Sequence, residues 1–281
     1  MEARIEELAK QLRQSPNSFA KQRELMSVLR SSKIRRSDLV NEFGGKLLEK
    51  SRSKLGDEVW MVYEQVLIAR LDLGNTEGAK KIYFELKHKF GASSSRVQRL
   101  RGMILESTDV TGAKSLYKAL REQDPLNQLY FKRLVCCEKA DGNLKEAIKI
   151  LLEYLDIHPS DVNAWEELAE LYIKTENYKQ AAFCYEEVIL WKPQSFHHIN
   201  FLAETYFTLG GLDNLVLARK YYSQSLLLNK TNNLRGLFGL QATTSAILSQ
   251  KGAKQEENEK LNQWAATELL EAYRGHELQS L

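Results

Sequence analysis

Apolar residues after Val162 fall at Trp165, Leu168, Ala169 and Tyr172, the i, i+3, i+4, i+7 spacing of one helical stripe. Ser160 and Asp161 stand before that stripe and offer N-cap oxygens to its first unpaired amides. Thr175, Glu176 and Asn177 read as a turn. Tyr178 then opens a second helix carrying Ala181, Tyr185 and Val188, which Pro193 ends for want of an amide. The same phrase recurs along the chain. Pro125, Pro159 and Pro193 are spaced by 34 residues, and so are Ala79, Ala113, Ala147 and Ala181. Tyr83, Tyr117, Leu151 and Tyr185 keep that register, as do Leu86, Leu120, Tyr154 and Val188. The spacing predicts helix–turn–helix units of 34 residues, each burying its stripe against its neighbour. A methyl-sized alanine at a fixed place lets two antiparallel helices approach closely, where a larger side chain would overpack.

This pattern resembles the tetratricopeptide repeat. Residues 162–195 match it at Trp165, Leu168, Ala169, Tyr172, Ala181, Tyr185 and Pro193. Copies in register run over 128–161 (Phe131, Leu134, Ala147, Leu151, Pro159) and 94–127 (Val97, Leu100, Ile104, Ala113, Tyr117, Pro125). The copy over 60–93 keeps Tyr63, Val66, Ala79 and Tyr83, with Gly91 in place of the proline. In the copy from 196, Ala218 follows Ala181 by 37 residues, and the surplus is expected in an enlarged turn, Gly210–Asn214. The resemblance implies an all-α, right-handed α-solenoid with helical caps. Residues 1–56 are expected to form a cap of about three helices, 57–230 five repeats, and 231–281 a degenerate sixth repeat with a C-terminal cap.

Composition agrees with helix. The 281 residues include only 4 Pro and 15 Gly, which helix interiors exclude and strand-and-turn folds use freely. Forty Lys and Arg against 37 Asp and Glu give +3, without the basic excess of a dedicated nucleic-acid binder. Cys136, Cys137 and Cys184 cannot pair completely and form no CxxC, as expected of a reducing compartment. The opening MEARIEELAKQLRQ has no apolar core for a signal peptide, and no apolar run reaches the ~18 residues of a membrane span.

Catalytic chemistry is hard to find. His197 and His198 are adjacent, so on a helix they diverge by ~100°, and the nearby Cys184 adds no metal-ligand spacing. Gly44-Gly45 and Gly210-Gly211 lack the context of a phosphate cradle, and there is no GxSxG. No enzyme activity, metal or cofactor is expected. Trp60, Trp165, Tyr83, Tyr117, Tyr185 and Tyr222 could make a binding ladder, but their helical register favours core.

Surface remains. First helices of such repeats line the concave side of a solenoid. Lys132 and Cys136, then Asn163, Glu166, Glu170 and Lys174, then Asn200, Glu204 and Phe207 lie off the packing stripe there, as partner-binding groove candidates with an acidic middle. Tetratricopeptide domains that clamp chaperone C-termini place Lys, Asn and Arg at such positions. Glu166 and Glu170 would repel a carboxylate, so a basic or apolar protein segment is the expected ligand. The basic stretch 30–36, with Lys33, Arg35 and Arg36, is a candidate contact for lipid headgroups or a partner.

Finer features narrow the family. LGDEVWMVYEQVLIARLDLG (55–74), AELYIKTENYKQAAFCYEEVILWKP (169–193), LGGLDNLVLARKYYSQSLLLN (209–229) and RGLFGL (235–240) are together similar to the subunit 2 family of the endoplasmic reticulum membrane protein complex. That resemblance implies a non-catalytic scaffold, peripheral on the cytoplasmic side of the endoplasmic reticulum membrane. Its partners would be membrane-embedded and cytosolic subunits of an insertase for tail-anchored and multipass proteins, with no nucleic acid. A soluble tetratricopeptide adaptor for chaperones or other assemblies is the alternative.

Overall fold

A computed structural model describes residues 1–250 and 255–279, in two compact units, Met1–Pro125 and Leu126–Leu281. Among the described residues there are helices and no strand, an α-solenoid of tetratricopeptide-like helix pairs.

The first unit opens with α1 (Glu2–Gln14) and α2 (Phe19–Ser32), then α3 (Ser37–Leu39), a π-helical turn Val40–Gly44 and α4 (Gly45–Ser51) in one continuous stretch. A 3₁₀ segment, Arg52–Glu58, leads into the pairs α5 (Val59–Asp72) with α6 (Thr76–Phe90) and α7 (Ser95–Thr108) with α8 (Val110–Gln123). Its core joins Ile5, Leu8, Ala9 and Leu12 of α1 to Leu25, Met26 and Leu29 of α2 and Val66 and Leu67 of α5. Gly44 is required by this packing, since a Cβ there would stand 2.7 Å from a Val66 methyl and 3.0 Å from the Met26 sulfur.

The second unit stacks α9 (Gln128–Ala140), α10 (Leu144–Ile157), α11 (Val162–Lys174), α12 (Tyr178–Trp191), α13 (Phe196–Leu209), α14 (Leu212–Leu228), α15 (Leu234–Leu248) and α16 (Gln255–Gln279). Each helix packs on the next in sequence. The alanines of the register, Ala79, Ala113, Ala147, Ala181 and Ala218, are all fully buried, which is what close helix approach demands. Pro125, Pro159 and Pro193 each lie two residues beyond the end of α8, α10 and α12. Asp161 caps α11 by accepting from the amide of Ala164 at 3.3 Å. The Thr175–Asn177 turn places Glu176 at φ 58°.

Two expectations are corrected. The surplus residues of the 196 copy do not enlarge a turn. Gly210 and Gly211, at φ 69° and 78°, reverse the chain in two residues, and α14 is 17 residues long where α12 is 14. The extra length is one more turn at the start of α14, where Asp213 meets the positive end of the helix. Trp165, expected in the core, is half-buried. Its indole donates to the carbonyl of Pro159 at 2.9 Å and its ring meets the exposed Phe183 edge-on.

Candidate functional site

A cleft of about 300 Å³ opens in the second unit, between α11, α12, α13 and α15. Its apolar floor comes from the stripes that build the repeats. The rings of Tyr185 (α12) and Phe201 (α13) stack with centroids 5.8 Å apart, and the guanidinium of Arg235 (α15) lies 4.8 Å over Phe201. Ile173 and Tyr178 extend the apolar wall, and Thr205 and Thr208 add hydroxyls. Both hydroxyls are engaged by α13 itself, donating to the carbonyls of Phe201 and Glu204 at 2.8 Å.

Glu170 and Glu204 stand on this cleft, and the two differ sharply. Glu204 is held by Arg235 through both guanidinium edges. Glu170 is exposed and makes no ion pair among the described residues. Glu166, one helical turn earlier, takes Lys192 at 2.7 Å and stands 2.9 Å from the Nε2 of His198. Burial, and after it the field of Glu170, Glu204 and Glu166, pushes the Tyr185 hydroxyl up to about 12. The three carboxylates therefore do converge on one tyrosine, but two of them are neutralised by built-in cations. Burial lowers the His198 imidazole against the opposing pull of Glu166, and its Nδ1 lies 2.6 Å from the hydroxyl of Ser195.

The remaining sequence candidates scatter. Asn163 and Lys174 are exposed on α11 away from the cleft, and Phe207 is exposed near the end of α13. Lys132 is committed to Asp161 at 2.6 Å and lies over the Tyr154 ring. Asn200 is not a groove residue at all. It is 2 % exposed and donates to Asn233 at 2.7 Å, and Asn233 in turn donates to Ser225 at 3.1 Å. This buried amide network ties α13, α14 and α15 together, and its polar side chains look from sequence like a surface position. Cys136 is exposed, while Cys184 is buried with its thiol pushed up to about 12. Among the described residues, no group of three or more His, Cys, Asp or Glu is placed to hold a metal ion.

Lys33, Arg35 and Arg36 belong to a separate place in the first unit. They rim a second cleft, of about 330 Å³, between α2, α3 and α5. Arg35 is paired with Asp72, and Arg36 with Asp38 at 3.0 Å and with Glu6.

Reasoning from sequence missed Arg235, Tyr178 and Phe201. Arg235 had a readable signal, because it is the second residue of its helix, as Asn163 is of α11. Phe201 had none, since its ring is partly covered and its neighbours Leu202 and Ala203 carry the stripe.

Comparison with known proteins places this architecture. Residues 83–226 match the family model described as the EMC2 TPR-like repeat domain. ER membrane protein complex subunit 2-A of Xenopus laevis is 41% identical over 255 residues, 89% of this chain and 85% of that protein. ER membrane protein complex subunit 2 of Dictyostelium discoideum is 34% identical over 260 residues, covering 88% and 81%. TPR repeat protein oca3 of Schizosaccharomyces pombe is 34% identical over 206 residues, 71% of this chain and 72% of that one. Among solved structures, the C-terminal part of a TPR repeat-containing protein from Cytophaga hutchinsonii aligns with TM-score 0.60 at 17% identity. It covers 91% of this chain and 95% of its own, a likeness of fold.

Proposed function

The chain belongs to the ER membrane protein complex subunit 2 family, and from that premise we propose that it is a non-catalytic scaffold subunit of such a complex. In this reading it sits peripherally on the cytoplasmic side of the endoplasmic reticulum membrane. It holds cytosolic segments of membrane-embedded subunits and so supports insertion of tail-anchored and multipass proteins. No helix among the described residues is long and apolar enough to cross a membrane, which fits attachment through partners. The observation that carries the site assignment is the contrast around Tyr185. Glu170 is a carboxylate with no ion pair of its own beside an aromatic floor, the Lys139 whose charge it feels being held by Glu167 at 2.5 Å, whereas Glu166 and Glu204 are already paired. A protein segment offering a lysine or arginine with an apolar neighbour complements it. The cation meets Glu170, and the apolar part covers Tyr178, Tyr185 and Ile173.

Glu170→Lys is the clean probe, because reversing Glu166 or Glu204 would also break pairs within the protein. The tagged chain is purified from detergent-solubilised membranes and its companions are identified by mass spectrometry. Wild type is expected to bring down membrane-embedded subunits. Glu170→Lys is expected to weaken that capture about tenfold or more, with an unchanged circular dichroism spectrum. A wild-type preparation with no membrane proteins would sink the scaffold reading. Full capture by Glu170→Lys would leave the scaffold standing and remove this cleft from it.

A further inference from the structure

The repeats of the second unit meet one another through fixed positions, and α15 with α16 departs from the pattern. Asp161, Ser195 and Asn233 cap α11, α13 and α15, and five residues after them stand Glu166, Asn200 and Phe238. Nine residues after the caps stand Glu170, Glu204 and Ala242. In the earlier repeats this face reaches toward the repeat that follows. Glu166 takes Lys192 and His198, Asn200 donates to Asn233, and Glu204 is held by Arg235. The second helices keep a register of their own. Ala265 and Leu269 of α16 are buried where Ala218 and Tyr222 are in α14 and Ala181 and Tyr185 in α12. Five residues after these alanines come Glu186, Ser223 and Leu270, and eight after them Ile189, Leu226 and Tyr273. Glu186 accepts from Tyr206 of α13 at 2.5 Å, and Leu226 clusters with Leu237 and Leu240 of α15. Phe238, Leu270 and Tyr273 therefore hold positions that elsewhere touch the first helix of a following repeat. They are 47 %, 60 % and 53 % exposed, and the rings of Phe238 and Tyr273 meet edge-on with centroids 6.3 Å apart.

A solenoid end that meets only water carries polar residues at such positions. Here the face turns apolar instead, and α15 continues it with Ala242, Ser245 and Ser249, all exposed, small and uncharged. We propose that α15 and α16 dock one amphipathic helix of a partner protein, laid on them as α13 lies on α12 and α15 on α14. The repeat-to-repeat interface thereby continues across the protein boundary, with an i, i+3, i+4, i+7 stripe of leucine or aromatic residues filling the recess over the small side chains. A second copy of this chain would set small residues against small ones and leave that recess empty. Charge fixes the direction. Glu259, Ala266, Leu270 and Tyr273 follow at i, i+7, i+11 and i+14 along one line of α16, and Arg274 stands one turn beyond Leu270. Glu259 and Arg274 are exposed and make no ion pair among the described residues. A helix antiparallel to α16, as α13 is to α12, begins beside Arg274 and ends beside Glu259. It therefore carries an acidic residue in its first turn and a basic one in its last, the arrangement its own dipole also favours.

The test is fluorescence anisotropy with the full chain and a fluorescein-labelled peptide of about 18 residues, about 27 Å long as a helix. It carries a leucine stripe, glutamates in the first turn and lysines in the last. A second peptide keeps the stripe and exchanges the two charged turns, and a third has a proline at its centre. Saturable binding of the first is expected, weakened about tenfold or more by Leu270→Ser, an exposed position whose change leaves the fold intact. The charge-exchanged peptide should bind more weakly to wild type and regain affinity for the double variant Glu259→Lys with Arg274→Glu. Glu170→Lys should leave all of this unchanged, because the site does not depend on the Glu170 cleft. Absence of binding at about millimolar peptide overturns the proposal, as does binding indifferent to Leu270→Ser. Equal binding of the proline peptide overturns it too, since the occupant is then not a helix. Concentration-dependent dimerisation in sedimentation, lost in Leu270→Ser and without peptide binding, overturns it in favour of a second copy.

Discussion

Gly102 lies in the middle of α7, where alanine would ordinarily be an improvement of about 1 kcal/mol in helix propensity. The structure predicts the opposite. A Cβ at Gly102 would stand 2.4 Å from both Cζ and the hydroxyl of Tyr117 and 2.6 Å from Cε1. Ordinary carbon contacts lie at about 3.5–4.0 Å, so the ring must retreat by about 1 Å. Tyr117 cannot do so freely, because it is fully buried and its hydroxyl donates to Glu106 at 2.5 Å. Overpacking costs about 1–3 kcal/mol and a weakened hydrogen bond about 1 kcal/mol, against the gain in propensity. Gly102→Ala should therefore destabilise the α7–α8 pair by about 1–3 kcal/mol. Hydrogen exchange read on peptides from α7 and α8 would show protection falling about 5- to 150-fold. Tyr117→Leu, which places the leucine of position 151 in the equivalent slot, should remove most of the penalty for Gly102→Ala. The cost of the double variant is then smaller than the sum of the singles. Unchanged or increased protection in Gly102→Ala would refute the close approach of these helices.

Two further expectations concern the second unit. Asp161 caps α11, accepts from Tyr154 at 2.6 Å and pairs with Lys132, so Asp161→Ala should cost about 1–3 kcal/mol, and Asp161→Asn less because it keeps the cap. Burial raises the Asp161 carboxyl, but hydrogen bonds from Lys132 and Tyr154 outweigh it and hold the group below its ordinary value. The stabilisation is thus fully present above pH ~4 and is lost as pH falls through the folded-state value. Urea titrations at neutral and acid pH should show the gap between wild type and Asp161→Asn closing in acid. Among the cysteines, only Cys136 is exposed, so a thiol reagent should modify one thiol quickly in the native protein. Cys137 and Cys184 should react only in denaturant, and fast native modification of Cys184 would contradict its burial.

The repeat was legible in the sequence because its determinants are local and periodic. Ala113 and Ala147 are each buried at the same place in their own helix pair, so one packing requirement recurs at a fixed interval along the chain. The site was less legible because surface function depends on who pairs with whom. Glu166 and Glu170 look alike on one helix face, and only the arrival of Lys192 and His198 from the next helices separates them. Asn200 misled for a related reason. An asparagine off the apolar stripe reads as solvent-facing, but Asn233 and Ser225 from later helices supply buried hydrogen bonds that make an interior position tolerable. The displaced Ala218 was visible as a number, 37, yet the number alone did not say whether helix or loop held the surplus. Two glycines at positive φ decided it for the helix.

Near-neutral net charge acquires a physical meaning from these pairings. A protein with 40 basic and 37 acidic side chains could bind charged partners through broad fields of one sign. Here most charges at the two clefts are spent on one another, as in Arg35 with Asp72, Arg36 with Asp38, Lys192 with Glu166 and Arg235 with Glu204. Such pairs contribute little to stability where they are exposed, but they fix side chains beside the few that remain open. Glu170 in one cleft and Lys33 in the other are those few. A neutral surface with isolated, oppositely charged points discriminates by position. Raising ionic strength should therefore weaken capture at the Glu170 cleft only modestly, by the screening of one or two pairs, whereas binding through broad patches would fall by orders of magnitude.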